Sequence, residues 1–137
     1  MPSADAPLTG SCACGAVAFD VMAPFDTAGH CHCKRCQRRS GALWSTNAIV
    51  AADGFSVVRG QERVRLWAPE SGLPKAFCTE CGGQLYSDGG DFIVVRLGLV
   101  DGDPGIEPSW RQWLESAPAW AQIPDDGLAR FEQRRQA

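Results

Sequence analysis

Cys12-Ala13-Cys14 near the start of the chain and Cys78-Thr79-Glu80-Cys81 in its middle constrain this fold more than any other feature. A C-x-C and a distant C-x-x-C together offer four thiolates, the donor set of a closed tetrahedral zinc site. A C-x-x-C alone also suits a redox pair, and the first two thiols could be small buried residues at a strand start. The context argues for metal. Ala76-Phe77 and Leu85-Tyr86 flank the knuckle with apolar, β-like residues, and Gly82-Gly83 lets the chain turn tightly, so that N–H groups can point at the sulfurs. An ion held this way staples the first strand to the middle of the chain.

A second stretch, His30-Cys31-His32-Cys33-Lys34-Arg35-Cys36, packs three thiols and two imidazoles into seven residues. On an extended segment Cys31 and Cys33 point to the same side, and Cys36 can return to the same ion from a following turn. Three ligands leave tetrahedral zinc one position short, and that position can take water or a substrate atom. By the same alternation His30 and His32 point away from the thiols, which suits core, surface or supporting roles better than direct coordination. Lys34, Arg35, Arg38 and Arg39 crowd around the three thiols. They compensate thiolate charge, or Arg35, Arg38 and Arg39 receive the carboxylates of an anionic ligand, for which guanidinium is suited.

The thiol count supports metal over disulfides, because seven cysteines cannot all pair. Met1-Pro2-Ser3-Ala4-Asp5 lacks the basic stretch and apolar core of a secretory leader, which places the thiols in a reducing, cytoplasmic compartment. No run reaches the apolar length of a membrane span. With 45% hydrophobic and 21% charged residues and a formal charge of −3, the chain reads as a globular domain with neither a nucleic-acid nor an anionic-membrane partner.

Residues 1–9 form a lead-in without periodicity, residues 10–125 the domain, and residues 126–137 a tail. Strand patterns follow in short pieces: Ala16–Val21, with Val17, Phe19 and Val21 on one face; Leu43–Val50; Phe55–Gly60 and Val64–Trp67, paired around Gly60-Gln61-Glu62; and Phe92–Val100, the most apolar of all. The polar segment Gln37–Ala42 suits one helical turn ended by Gly41, and Asp125–Gln136 suits a short amphipathic helix with Leu128 and Phe131 on its apolar side. Many short strands with glycine turns and no long helix predict an all-β sandwich or tent held by metal. Trp110, Trp113 and Trp120 cover a core edge or wall a ligand cleft beside the open site.

Three blocks, Gly10–Val17, His30–Ala42 and Phe77–Gly82, resemble the signature blocks of the glutathione-dependent formaldehyde-activating enzyme family, which also includes centromere protein V; the resemblance covers roughly residues 8 to 125. It implies a β-tent, a structural zinc at Cys12, Cys14, Cys78 and Cys81, and a catalytic zinc at Cys31, Cys33 and Cys36. It also implies a carbon–sulfur lyase activity that joins formaldehyde to glutathione as S-hydroxymethylglutathione. All seven ligand positions are present. Two readings follow: a zinc enzyme acting on a small thiol adduct, and a non-enzymatic zinc module whose three-cysteine group is a redox-sensitive or partner-binding site.

Overall fold

The computed structural model describes residues 1–136. It is mostly β, built from β1 (Leu8–Ser11), β2 (Ala18–Val21), β3 (Thr27–Cys31), β4 (Ser45–Ala51), β5 (Phe55–Arg59), β6 (Val64–Trp67), β7 (Lys75–Cys78), β8 (Gln84–Asp88), β9 (Phe92–Arg96), β10 (Trp110–Gln112) and β11 (Ala129–Arg130), with one helix, α1 (Lys34–Ser40). Three strands make an antiparallel sheet in the order β1-β2-β5. Eight make the second, in the order β11-β10-β3-β4-β9-β8-β7-β6. That larger sheet is mixed, because β10 runs parallel to β3 and β11 parallel to β10.

Alternation along the central strands decides what the large sheet does with its two faces. Ala48 and Val50 of β4 lie opposite Val95 and Ile93 of β9, and with Ala28 of β3 they bury against Phe19 and Val21 of β2. This is the main core. The intervening residues face the other way: Cys31 pairs with Ser45, Asn47 with Arg96, Ile49 with Val94 and Ala51 with Phe92. Phe92–Arg96 is therefore apolar on both faces, because one lies in the core and the other floors a cleft. A second core cluster gathers Val17, Ala76 and Leu85 around Cys12 and Cys78, so two of the four stapling thiols are themselves core residues.

Four sequence expectations are corrected. Leu8 and Thr9, assigned to the lead-in, already belong to β1 and pair with Val21 and Asp20; Leu8 has core to cover. The segments Phe55–Gly60 and Val64–Trp67 do not form a hairpin: β5 pairs with β2 and β6 with β7. Gly60, at φ 77°, opens a 3₁₀ turn over Gln61–Arg63 that carries the chain from one sheet to the other. The strand from Phe92 ends at Arg96, where Leu97–Leu99 turns in a 3₁₀ helix. The tail is not helical. Ala129–Arg130 adds to the β10 edge, where the Phe131 N–H donates to the Arg111 carbonyl (2.8 Å) and the Trp113 N–H to the Gln133 carbonyl (3.0 Å). Unpaired groups along β10 offer the tail tertiary hydrogen bonds that local helical periodicity cannot match.

Candidate metal centres and an adjoining cleft

The stapling group comes together from both sheets. The sulfurs of Cys12, Cys14, Cys78 and Cys81 all lie within 4.8 Å of one another, with Cys12 to Cys14 at 3.6 Å and Cys14 to Cys78 at 3.9 Å. A disulfide needs about 2.05 Å, whereas zinc–sulfur bonds of about 2.3 Å in a tetrahedron put sulfurs about 3.8 Å apart. The donor set fits a tetrahedral ion. Backbone N–H groups already face the sulfurs: Val17 to Cys12 (3.3 Å), Glu80 to Cys78 (3.4 Å) and Gly83 to Cys81 (3.4 Å). The N–H groups of Cys14 and Gly83 draw the Cys81 thiol down to about 6, which favours the ligating thiolate. Gly82, at φ 72°, supplies the left-handed turn that brings Gly83 round.

The second group lies where β3 runs into α1. The sulfurs of Cys31, Cys33 and Cys36 also lie within 4.8 Å of one another, and among the described residues no imidazole or carboxylate completes the set. Cys33 caps α1 in an extended conformation, and its sulfur accepts from the Cys36 N–H (3.3 Å). The Cys31 and Cys36 thiols that donate to Cys33, with backbone N–H groups behind them, pull its pKa far down, while Cys31 is pushed up. Three sulfurs turned toward one another are the arrangement a metal ion would draw together, releasing thiol protons as it bound. Gln37 fixes the helix by donating to the carbonyls of His32 (2.9 Å) and Ser116 (3.0 Å), and Gly41, at φ 71°, ends it.

His30 and His32 lie on the opposite side of β3. The His30 Nδ1 is 2.9 Å from the Thr46 hydroxyl. His32 is fully buried against Trp44, and burial followed by the nearby Arg111 guanidinium holds its pKa down at about 4, so the ring is neutral near pH 7. Its Nε2 then accepts from the Arg111 Nη1 (3.3 Å), and Arg111, itself 2% exposed, donates on to Asp126 (2.7 Å). The tail is tied to the back of the segment that carries Cys31 and Cys33 by this chain.

The sulfurs of Cys31, Cys33 and Cys36 open into a cleft of about 600 Å³. Its charged lining is Arg35, Lys75, Arg96, Arg134 and Arg135, with no aspartate or glutamate. Among the described residues none of these five is within ion-pair distance of a carboxylate, since the pairs found are Arg63 with Glu62 and Glu80, and Arg111 with Asp126. Burial, then the neighbouring Arg96 and Arg35 guanidinium groups, push the Lys75 ammonium below its ordinary value. Cations this crowded destabilise one another, and the cysteine sulfurs at the floor offset part of that cost for Lys75 and Arg96. Trp110 and Trp113 wall the cleft, whereas Trp120 is exposed. Trp113 is held at φ 59°, a left-handed conformation uncommon for a bulky side chain.

The three arginines singled out in the sequence separate in space. Arg35 lines the cleft, where Gly72 (φ 93°) lets the loop after β6 close over its guanidinium. Arg39 turns to a neighbouring cavity and donates to the Gln84 side chain (2.8 Å), and Arg38 is exposed. Lys75, Arg96, Arg134 and Arg135 were not anticipated. Arg96 had one visible signal, as the lone charge in the most apolar strand; the others became neighbours only through sheet order and the tail's return.

A family model described as glutathione-dependent formaldehyde-activating enzyme matches residues 7–116. A Halomonas elongata protein named "Putative glutathione-dependent formaldehyde-activating enzyme" is 27% identical over 150 residues, covering 93% of this chain and 95% of its own. A Sordaria macrospora protein of the same name is 34% identical over 77 residues, covering 50% of this chain and 32% of its own, so the chain spans about a third of that relative's length. A crystal structure of a Rhodobacter sphaeroides protein superposes with a TM-score of 0.58 at 24% identity, covering 90% of this chain and 98% of that one, a likeness of fold. With the match extending over both cysteine groups and most of the sheet, the chain belongs to the glutathione-dependent formaldehyde-activating enzyme family.

Proposed function

We propose that this protein is a zinc enzyme that joins a small carboxylate-bearing thiol to formaldehyde, as the name of its family describes, with Cys12, Cys14, Cys78 and Cys81 holding a structural ion and Cys31, Cys33 and Cys36 a reactive one. The observation that carries this reading is the opening of three clustered thiols into a cleft whose other charged side chains are all positive. In the reaction a carbon–sulfur bond forms, the carbonyl π bond breaks, and the proton leaving sulfur ends on the new hydroxyl oxygen. Zinc bound by the three thiolates would supply Lewis acidity that favours the thiolate form of the incoming thiol. The protein's own residues do the rest. Arg35, Lys75 and Arg96 receive carboxylates and fix the thiol's orientation, and Trp110 and Trp113 narrow the cleft and exclude water. Formaldehyde adds to thiols unaided, so the contribution required is chiefly to bring two reactants together.

The test is NMR exchange spectroscopy of formaldehyde with glutathione, with zinc-loaded protein against matched buffer. Acceleration that disappears in Cys33→Ser supports the proposal; a rate equal to buffer sinks it. The family assignment would then fit a non-enzymatic zinc module, for which a metal content of one ion per chain, unchanged by Cys33→Ser, is the signature.

A further inference from the structure

We propose that Arg134 and Arg135, carried by the C-terminal tail, determine which thiol the cleft accepts, by receiving a second carboxylate on the far side of the three thiols from Lys75 and Arg96. This rests on the thiol-binding role proposed above and deepens it to a substrate class, thiols whose sulfur lies between two carboxylates.

The tail lies beyond residues 7–116, the span that the family model matches, yet its course brings it back to the cleft. β11 pairs in parallel with β10, with Ala129 opposite Trp110 and Arg130 opposite Arg111. The Phe131 N–H donates to the Arg111 carbonyl (2.8 Å), the Trp113 N–H to the Gln133 carbonyl (3.0 Å), and the Arg135 N–H to the Gln112 side-chain oxygen (3.0 Å). Gln112 is itself the partner of Cys31 across β10 and β3. These bonds fix where the tail's charges arrive, and Arg134 and Arg135 line the cleft from the β10 side. Arg135 stands over the Trp110 ring, 4.9 Å from its centroid. Attraction to a ring face holds a guanidinium in place without consuming its N–H donors, the groups that recognise a carboxylate. Other cations approach from the opposite direction. In the large sheet β3, which ends in Cys31, has β10 on one side and β4 then β9 on the other. Arg96 ends β9, two strand spacings or about 10 Å from β3, and Lys75 starts β7 beyond it. The thiol floor thus lies between two sets of positive charge. A ligand whose sulfur rests at the floor reaches Arg96 and Lys75 with one carboxylate, and needs a second at its other end to reach the tail. A thiol with a single carboxylate satisfies one side only.

Glutathione has this form, with its sulfur on the central residue, a glycyl carboxylate at one end and a glutamyl carboxylate beside an ammonium at the other. The glycyl carboxylate has no positive charge next to it and is the better match for a pair of guanidinium groups. Binding of glutathione and of its glycyl monoethyl ester, which differ by that one charge, to the zinc-loaded protein is measured by calorimetry. The native protein should prefer glutathione by about fivefold or more. Arg134→Gln/Arg135→Gln should bring the two thiols close to parity by weakening glutathione alone, a change in preference that a merely structural role for the tail would not produce. A native protein without the preference, or a preference that persists in the double variant whether or not both thiols weaken together, overturns the inference while the thiol-binding role stands. Should neither thiol bind the native protein, that role fails and the inference with it.

Discussion

At Gly29 a single hydrogen atom shapes the cleft. Gly29 pairs with Trp110 across β3 and β10, and a Cβ at this position would overlap the indole ring. The ring lies flat on the strand, with its Nε1 donating to the Thr27 hydroxyl (2.8 Å). Gly29→Ala should therefore push Trp110 off β3 at a cost of about 1–3 kcal/mol, seen as a lower denaturation midpoint and altered tryptophan emission. The cysteines divide by a different criterion. Cys78 is fully buried in the second core cluster, whereas Cys33 sits at the cleft floor. Cys81→Ser should abolish the cooperative thermal transition, because a structural ion contributes folding free energy directly; Cys33→Ser should keep the transition and lose one of two zinc ions. Equal loss of structure in both variants, by circular dichroism, would refute this division.

Among the elements, those set by local chemistry were legible in the sequence and those set by distant partners were not. Gly41 ends α1 as its sequence suggests, and Phe19 and Val21 share a buried face as their alternation implies. The glycine after Cys81 turns the knuckle as expected. The tail misled because Leu128 and Phe131 are helically spaced, yet Asp126 is claimed by Arg111, and Gly127 at φ 78° turns the chain into an extended run along β10. Similarly, Phe55–Arg59 and Val64–Trp67 have hairpin spacing, but β5 pairs with β2 in one sheet and β6 with β7 in the other. The cationic cleft is assembled from β7, β9, the helix and the tail, so the thiol floor, Arg35 and the tryptophan walls could be read in advance, whereas Lys75, Arg96, Arg134 and Arg135 could not. Arg111 is where these remote contacts concentrate. Arg111→Met should cost about 2–4 kcal/mol, from an unsatisfied His32 Nε2 and imperfect packing against Trp44, and should speed exchange of the Phe131 N–H by deuterium labelling.

For the whole molecule, the two cysteine groups that could hold a metal differ in what their loss would do. One joins the first strand to β7 and the knuckle, and the other sits at the end of β3 with three donors. Stepwise chelation of the zinc-loaded protein should release one ion while the far-ultraviolet dichroism persists, and the second only as the fold melts; simultaneous release would contradict two independent centres. The parallel pairing of β10 with β3 has a consequence for biosynthesis. Arg111 follows His32 by 79 residues, so a ribosome delivers Cys31, Cys33 and Cys36 long before the strand that closes over their segment. A nascent chain therefore carries those three sulfurs through synthesis before the strand that pairs with their segment exists, at the stage when thiols are most open to oxidation.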